Sequence, residues 1–363
     1  MTASSIQPAS PVIAGTAVAL PPNRYTQHEL VGVIRDLLPQ LPVSTAALER
    51  FFDRVGVEER FFALPAEAYA DLGGLEKRNA AFLSTAVDLG EQAIREALRD
   101  AHLSAAGISE IITNVTTGIA VPSLEARLMN RLEMPADARR VPLFGLGCAG
   151  GAAGVALLAD YLTAYPDRAA ALLTVELCSL TFQPADLSTS NAIGAALFGD
   201  AAAAVVMLGA RHPLADNGAA PRVLASRSAF FRDTEHLMGW DVVDTGFKLV
   251  LSPDVPRLAG KELSRLVTEL VSGAGLTPGD VDLWIPHAGG PKVIAAVTES
   301  LGVPAGALAE ARKCLARIGN VSSASVLVVL DGIRRERRPV PGSYAVMFAF
   351  GPAFAAELVL LRW

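Results

Sequence analysis

The sequence predicts an α/β protein built from two related halves, and three observations lead to this fold class. Apolar runs of strand length alternate with helical patterns along the chain. A length of 363 residues suits two fused halves better than one core. Two runs of small and apolar residues also begin after glycine turns, at Gly147 and at Gly319. The alternation of strands and helices further indicates a mostly parallel sheet.

Apolar runs and amphipathic spacing place the elements of the first half. The run from Val12 is a strand that ends before Pro21 and Pro22, because proline removes a backbone donor. The run from Val141 is a short strand leading into a helix that is apolar on every side, which is typical of a protein interior. The remaining strands are predicted at 110–116, at 169–176 and up to 208, and the helices at 27–38, 48–56, 83–102, 123–132 and 149–161.

A polar segment with little periodicity, 212–221, is predicted to link the halves. The N-terminal half is therefore predicted to be 1–212 and the C-terminal half 213–363. The second half has predicted strands at 223–231, 281–286, 343–350 and 355–361, helices at 255–273, 292–301 and 321–333, and an irregular segment at 233–251.

Composition and charge exclude several classes of function. Hydrophobic residues make up 51% of the chain and charged residues 19%, as in a compact protein with a large core. The net charge of −6 argues against binding to nucleic acid or to a membrane surface. Residues 1–11 lack the regions of a signal peptide, and the apolar runs are interrupted before bilayer length, so no membrane insertion is expected. Three dispersed cysteines indicate reduced thiols in a cytoplasm, and the sequence contains no phosphate-loop, dinucleotide or metal motif.

Three residues at junctions between elements are candidates for catalysis. Cys148 opens the first small-residue helix, where free N–H groups and the helix dipole favour a thiolate. Asn320 opens the second such helix, and His287 follows a strand at its carboxyl end, where ligands of open α/β sheets bind. If a pseudo-dyad relates the halves, the three residues surround one cavity, and the imidazole gives a thiolate–imidazolium pair. The alternatives are a packed cysteine, a structural histidine and an asparagine N-cap.

Four sequence blocks occur in order over nearly the whole chain. They are Gly147-Cys148-Ala-Gly-Gly, Leu197-Phe198-Gly-Asp200, Trp284-Ile-Pro-His287-Ala-Gly-Gly-Pro291 and Gly319-Asn320-Val-Ser-Ser-Ala. These blocks resemble the signature blocks of type III polyketide synthases, the chalcone-synthase-like branch of the thiolase superfamily. The resemblance implies a thiolase-like αβαβα five-layered fold from two duplicated halves, and a homodimer. It also implies acyl-CoA and malonyl-CoA as substrates, with no further cofactor and no metal.

The resemblance also implies roles for individual residues. Cys148 would hold the acyl chain as a thioester, with His287 beside it as an imidazolium. His287 and Asn320 would donate to the thioester oxygen and stabilise the enolate formed when malonyl-CoA loses carbon dioxide. Phe198 matches one gatekeeper phenylalanine of the family, and Phe247 is a weaker match to the second. The other matches are Thr116, Thr117, Val121 (supplied by the neighbouring subunit), Cys178, Thr181, Ser322, Phe350, Gly351 and Pro352 for the substrate pocket, and Arg50 and Arg54 for the coenzyme A phosphates.

The chain departs from the family pattern in one loop, where Ala349 and Ala353 replace glycines. A solvated helix face is the alternative for Arg50 and Arg54. The small, lightly polar pocket lining leaves room for an aliphatic chain. The residues around Cys148 and the run 122–131 resemble bacterial members of the family that make alkylpyrones or alkylresorcinols. This resemblance implies a medium- or long-chain aliphatic starter and a product of that kind. The alternatives are a single condensation like that of ketoacyl-carrier-protein synthase III, and a non-catalytic homologue that binds acyl-CoA. A thiolase has less support, because no second cysteine is placed as its base.

Overall fold

The computed structural model describes residues 10–37, 44–216 and 220–363. Residues 1–11 were predicted to contain no signal peptide, and residues 1–9 of that segment lie outside the described residues. The predicted helix end at Leu38 and residues 217–219 of the predicted link also lie outside them. The boundary between residues 212 and 213 stays a prediction.

Strands and helices alternate through the first half, as predicted, with short additions near its start. The elements are β1 (Val12–Ala19), β2 (Asn23–Thr26), α1 (Gln27–Leu37), α2 (Thr45–Arg54), β3 (Glu59–Phe62), α3 (Leu75–Asp100), β4 (Ile108–Val115), α4 (Leu124–Leu132), β5 (Arg139–Phe144), α5 (Gly150–Ala164), β6 (Ala169–Leu177), α6 (Thr189–Leu197) and β7 (Asp200–Leu208). Ser44 caps α2, its Oγ accepting from the backbone N–H of Ala47 at 3.2 Å. Every residue of β6 and β7 is buried, which explains why both are continuous apolar runs.

The second half repeats this alternation after the link. Its elements are β8 (Arg222–Phe230), β9 (Met238–Val243), β10 (Gly246–Leu251), α7 (Val255–Ser272), β11 (Val281–Pro286), α8 (Pro291–Leu301), α9 (Ala309–Ile318), α10 (Ser325–Gly332), β12 (Tyr344–Gly351) and β13 (Ala355–Arg362).

One sheet runs through both halves, in the order β11-β12-β13-β8-β1-β7-β6-β4-β5. The strands β1-β7-β6-β4 of the first half and β8-β13-β12-β11 of the second share the same order and the same relative directions. The two half-sheets meet at β1 and β8, where Val12 pairs with Arg222. This repetition confirms the predicted duplication.

The prediction of a mostly parallel sheet is wrong. Among the described strands of the large sheet, only β4–β5, β4–β6 and β11–β12 are parallel neighbours. The last strand of each half causes this difference. β7 and β13 each run antiparallel to both of their neighbours. β13 follows β12 after the turn 352–354, which is too short for the crossover that a parallel pair needs.

The helices α5 and α10 form the middle of five layers. α5 packs on β4 and β6 of the first half and on β12 and β13 of the second, while α10 packs on β1 and β11. One outer layer contains α3, which packs on β1, β6 and β7, and the other contains α7, which packs on β8 and β13. This is the αβαβα arrangement that the resemblance predicts.

Small residues let the two central helices approach closely. A Cβ added to Gly151 would lie 2.3 Å from the carbonyl oxygen of Ser323 and 2.7 Å from Cγ1 of Val326, so no side chain fits there. The segment Gly147–Ala164 is long and apolar enough to cross a bilayer by length and composition, but 72% of it is buried inside the protein. Its apolar surface is covered by the two half-sheets.

Several element boundaries differ from the prediction. The segment 233–251 is not irregular, because it contains the β9–β10 hairpin, a separate two-stranded sheet. Most of its residues are only partly buried, so the hairpin lacks the apolar alternation that reveals a core-facing strand. Helix α6 stands where a turn was predicted before β7, and α3 begins at Leu75 rather than Leu83.

The close contact of α5 and α10 can be tested by unfolding. Gly151→Ala is expected to lower the free energy of unfolding by about 1–3 kcal/mol, because the new methyl group must displace the Ser323 carbonyl or Val326. Gly32→Ala in α1 is the matched control, since a Cβ there meets nothing within 4 Å and should stabilise by about 0.5–1 kcal/mol. Urea unfolding measures both, and a Gly151→Ala protein as stable as the wild type would contradict this packing.

Candidate active site

Cys148 lies where the strand β5 leads into the central helix α5. The chain passes through a 3-10 turn, Gly147–Ala149, before α5 begins at Gly150. The thiol is partly buried, and its Sγ lies 3.5 Å from Oγ of Ser322. Ser322 belongs to the equivalent turn before α10. The openings of the two central helices therefore meet at the cysteine, as the duplication predicts.

His287 follows the last residue of β11 and is held by the neighbouring strand. Its backbone N–H donates to the carbonyl of Phe348 in β12 at 2.8 Å. The imidazole is only 9% exposed, and its Nδ1 atom has no hydrogen-bond partner among the described residues. An imidazolium here would bury a proton without an acceptor, which disfavours the charged form.

Asn320 is fixed by its backbone and by its side chain. Its N–H donates to the carbonyl of Leu197 at 2.8 Å, and its carbonyl accepts from Gly199 at 3.0 Å. The side-chain Oδ1 accepts from the N–H of Ser322 at 2.8 Å, so the predicted capping role is also present. Nδ2 donates to the carbonyl of Gly289 at 3.2 Å. A carboxamide has two N–H bonds, so one remains available to a ligand.

One cavity of about 730 Å³ brings the three predicted catalytic residues together, and we call it the catalytic cavity. Cys148, His287 and Asn320 all line it. The exposed residues Arg54 and Lys292 also line it and mark its mouth with two positive charges. Most of the remaining lining is apolar and comes from α6, β10, α7 and α8: Ile193, Leu249, Val250, Leu251, Val255, Ala259, Val293 and Val297.

A side cavity of about 40 Å³ lies next to the catalytic cavity. Phe198, Trp240 and Leu249 line both cavities and form the wall between them. The ring centroids of Phe198 and Trp240 are 6.0 Å apart. Cys178 and Thr181, which were predicted as pocket wall, line only the side cavity.

Thr116 and Thr117 do not line either cavity, contrary to the prediction. Their hydroxyl groups donate to the buried carboxyl group of Glu176 at 3.1 and 3.0 Å, and Ser323 donates to it at 2.5 Å. The backbone N–H of Thr116 adds a fourth bond at 3.1 Å. A buried carboxyl group requires hydrogen-bond donors. Because the hydroxyl groups of Thr116 and Thr117 donate to Glu176, they do not face the cavity.

Other predicted residues divide between the cavity and its surroundings. Phe350, Pro352 and Ser322 line the catalytic cavity. Gly351 packs behind Cys148 instead, because a Cβ there would lie 2.6 Å from Cβ of Ala149. Ala353, in place of the family glycine, has a φ of +55°.

Phe247, Arg50 and Val121 lie away from both cavities in the single chain. Phe247, predicted as a second gatekeeper, is instead a buried residue of β10 that lines neither cavity, and its carbonyl accepts from Gln183. Trp240 is the aromatic neighbour of Phe198 instead. Arg50 is exposed one helical turn from Arg54, and Val121 is 92% exposed.

The electrostatics of the site favour an uncharged cysteine and histidine at rest. Burial raises the pKa of the Cys148 thiol to about 12, and the carboxyl group of Glu176 raises it further. Burial lowers the pKa of His287 to about 4. Burial also raises the pKa of Glu176 to about 7. Burial therefore favours a neutral thiol and a neutral imidazole in the single chain, and the thiolate–imidazolium pair expected from the sequence stays a prediction.

Comparison with known proteins assigns both halves to one family. Residues 12–212 match the family described as chalcone and stilbene synthases, N-terminal domain. Residues 222–363 match chalcone and stilbene synthases, C-terminal domain. The chain belongs to the chalcone and stilbene synthase family.

Individual relatives place the chain within the bacterial members of this family. It is 46% identical over 351 residues to a 1,3,6,8-tetrahydroxynaphthalene synthase of Streptomyces peucetius subsp. caesius, which covers 97% of this chain and 93% of the relative. It is 33% identical over 353 residues to the synthase of that name from Streptomyces coelicolor, covering 96% of this chain and 91% of the relative. The crystal structure of tetrahydroxynaphthalene synthase from Streptomyces coelicolor A3(2), described as a bacterial type III polyketide synthase, matches with a TM-score of 0.90 at 32% identity, covering 97% of this chain and 99% of that one. The chain is a bacterial type III polyketide synthase, an acyltransferase-type condensing enzyme, as the sequence predicted.

Three residues in or next to the site of this synthase were not among the residues predicted from the sequence. Lys292 lies at the cavity mouth, and its position directly after the His287 block at a helix start is a signal that could have revealed it. Glu176 is the second-last residue of β6, a fully buried strand, where a charged residue is unusual. Trp240 had no local signal, because its role depends on the folding of the β9–β10 hairpin over Phe198.

The protonation state of this synthase's thiol can be tested by alkylation. Because burial raises the pKa of Cys148 to about 12 and lowers that of His287 to about 4, we expect the resting thiol to stay neutral through neutral pH. The rate of inactivation by iodoacetamide should therefore rise about tenfold per pH unit from pH 6 to pH 9, following the thiolate fraction. Cys148→Ser, with no thiol at the site, is the control for modification elsewhere. A rate that is constant over this range would show a preformed thiolate.

Proposed function

We propose that this synthase transfers an acyl starter from coenzyme A to Cys148 and extends it with malonyl units by decarboxylative Claisen condensation. The observation that supports this most directly is the convergence of Cys148, His287 and Asn320 on one cavity with a positively charged mouth. A thiol, an imidazole and a free amide N–H are the groups that acyl transfer and enolate chemistry need.

The first step loads the starter onto the enzyme. The imidazole of His287 takes the proton of the Cys148 thiol, and Sγ attacks the thioester carbonyl of the starter. Coenzyme A leaves as a thiolate and takes a proton from solvent, so the imidazolium remains. The charge pair that burial disfavours at rest thus forms only during turnover.

The second step makes and uses the carbon nucleophile. Malonyl-CoA loses carbon dioxide, and the electron pair of the broken C–C bond moves into an enolate. The free N–H of Asn320 and the His287 imidazolium donate to the enolate oxygen. The enolate carbon then attacks the acyl group and expels the Cys148 thiolate beside the imidazolium, and the lengthened chain returns from coenzyme A to the sulfur for the next round.

The side cavity fits a small starter better than a large one. The wall of Phe198, Trp240 and Leu249 leaves only about 40 Å³ on the side of Cys178 and Thr181. For comparison, a cavity of roughly 150 Å³ is known to bind benzene. The name of the 46% identical relative, 1,3,6,8-tetrahydroxynaphthalene synthase, describes a product without an alkyl chain. We therefore propose malonyl-CoA itself as the starter and a polyhydroxylated aromatic product.

The aliphatic starter expected from the sequence is the second candidate. The catalytic cavity of about 730 Å³ favours it, because its lining from α7 and α8 is apolar. An alkylpyrone or alkylresorcinol would then be the product. The family assignment favours repeated condensation over the single condensation of the ketoacyl-carrier-protein synthase III alternative.

Coenzyme A thioesters are the only other molecules that this proposal requires. Arg54 and Lys292 would hold the phosphates at the cavity mouth. Among the described residues, no cluster of three or more His, Cys, Asp or Glu side chains is placed to hold a metal. The reaction uses no redox step, so we propose no further cofactor, and we propose the cytoplasm as its location.

We also propose that the synthase is a homodimer. Ile119, Val121 and Phe144 are 40%, 92% and 55% exposed, although each is a large apolar residue. Phe144 ends the edge strand β5, and the other two follow the neighbouring strand β4. Exposed apolar groups of this kind are typical of a surface that a partner covers.

The starter can be identified from the products. Enzyme supplied with malonyl-CoA alone should form a polyhydroxylated aromatic product without an alkyl chain, detected by mass spectrometry. Cys148→Ala should abolish product formation while size-exclusion chromatography still shows a folded dimer. Product formation only when an aliphatic acyl-CoA is added would select the second candidate, and turnover by Cys148→Ala would contradict the mechanism.

The wall between the cavities can be tested by removing its largest member. Trp240→Ala should join the side cavity to the catalytic cavity and raise kcat/KM for hexanoyl-CoA as starter by roughly tenfold or more. Met238→Ala is the matched control, because Met238 lies on the same strand and lines only the catalytic cavity. Equal gains in the two variants would show that Trp240 does not limit starter size.

A further inference from the structure

We propose that Arg60 is a positioning residue that holds two segments in their catalytic arrangement. One is the Phe198 turn, residues 195–199, which includes the end of α6, and the other is the Asn320 turn, residues 319–322. The inference rests on the role of Asn320 in the proposed function. Arg60 lies in β3, outside the four sequence blocks, and contacts neither Cys148 nor His287 among the contacts described.

Arg60 reaches both turns with different parts of its side chain. Its Nη1 donates to the carbonyl groups of Ala195 at 2.6 Å and of Phe198 at 2.9 Å. Its aliphatic stem lies against Gly319, where an added Cβ would be 3.2 Å from Cγ and Cδ of Arg60. Gly319 has a φ of +73°, which a residue with a side chain adopts only at a cost. The head of Arg60 therefore holds one turn while its stem supports the other.

The two turns that Arg60 contacts are themselves joined. Phe198 and Asn320 form an isolated parallel β-bridge. Asn320 donates to the carbonyl of Leu197, and Gly199 donates to the carbonyl of Asn320. A Cβ on Gly199 would lie 2.1 Å from the carbonyl of Ile318, so the turns are in close contact. A shift of either turn would move the gatekeeper ring and the Asn320 carboxamide together.

The burial of Arg60 is difficult to explain by stability alone. Its side chain is 1% exposed, and its Nε and Nη2 atoms have no hydrogen-bond partner among the described residues. Burial lowers the pKa of Arg60 to about 9, and nearby Asp200 opposes this shift, but the oxygens of Asp200 accept hydrogen bonds from Ala63 and Ser179. Phe52 and Phe62 lie 5.9 and 5.4 Å from the guanidinium carbon. Burying a guanidinium with two unpaired nitrogens has a desolvation cost, so we infer that holding the two turns is its main contribution.

A double-mutant cycle tests whether Arg60 acts through Asn320. The activity is the decarboxylation of malonyl-CoA to acetyl-CoA, measured by liquid chromatography with enzyme in excess so that slow variants reach completion. Arg60→Lys in the wild-type background should lower the rate by roughly ten- to a hundredfold, because a small displacement of a catalytic donor has a large effect. In the Asn320→Ala background the same substitution should change the rate by less than about twofold.

Arg78→Lys is the matched control. Arg78 is also buried, at 5% exposure, and also donates to backbone carbonyls, those of Leu180 and Gly73. Because it contacts neither catalytic turn, its effect on the rate should be the same with and without Asn320→Ala. Thermal unfolding of the single variants shows whether the two arginines contribute similarly to stability. An Arg60→Lys effect that is undiminished in the Asn320→Ala background would overturn the proposal.

Two other outcomes are also decisive. If Arg60→Lys does not fold, Arg60→Gln takes its place in the cycle, because glutamine keeps one donor and removes the buried charge. If neither variant folds while Arg78→Lys does, Arg60 is required for the fold itself and the proposal is wrong. A wild-type enzyme that does not decarboxylate malonyl-CoA would instead contradict the proposed function, which separates the two failures.

Discussion

The contact between α5 and α10 is the constraint on which the rest of this synthase depends. Gly151 has no side chain, so the backbone of the Ser323 turn can lie directly against it. Because the helices are equivalent members of two duplicated halves, this contact also brings their openings together. Cys148 and Ser322 meet at 3.5 Å as a result, and Asn320 joins them at the cavity. Tight packing of small residues is thus what assembles the reactive groups.

A buried site of this kind controls when charge appears. Burial makes the Cys148 thiolate and the His287 imidazolium unfavourable at rest, and the Glu176 carboxyl group beneath them adds to the effect on the thiol. In the proposed mechanism, the thiol ionises only after a thioester has entered the cavity. The same low polarity would strengthen each hydrogen bond to a developing oxyanion, which is the role proposed for the free N–H of Asn320.

Much of the fold and the centre of the site could be predicted from sequence because their signals are local. Strand and helix positions follow from hydrophobic periodicity, and the helix-opening positions of Cys148 and Asn320 follow from the glycine turns before them. The duplication of the two halves predicted that Cys148 and Asn320 share one cavity. The hydroxyls of Thr116 and Thr117 could not be placed in this way, because their acceptor, Glu176, lies about sixty residues along the chain.

The sequence by itself determined the two halves, the order of their elements and the three groups that meet at the cavity. Only the tertiary structure decided the antiparallel insertion of β7 and β13, the wall that Trp240 forms with Phe198, and the support that Arg60 gives to two distant turns. The physical reason is the range of the interactions. Periodicity, capping and helix dipoles act within a few residues, whereas burial, cavity shape and the partner of a buried polar group depend on segments that only folding brings together.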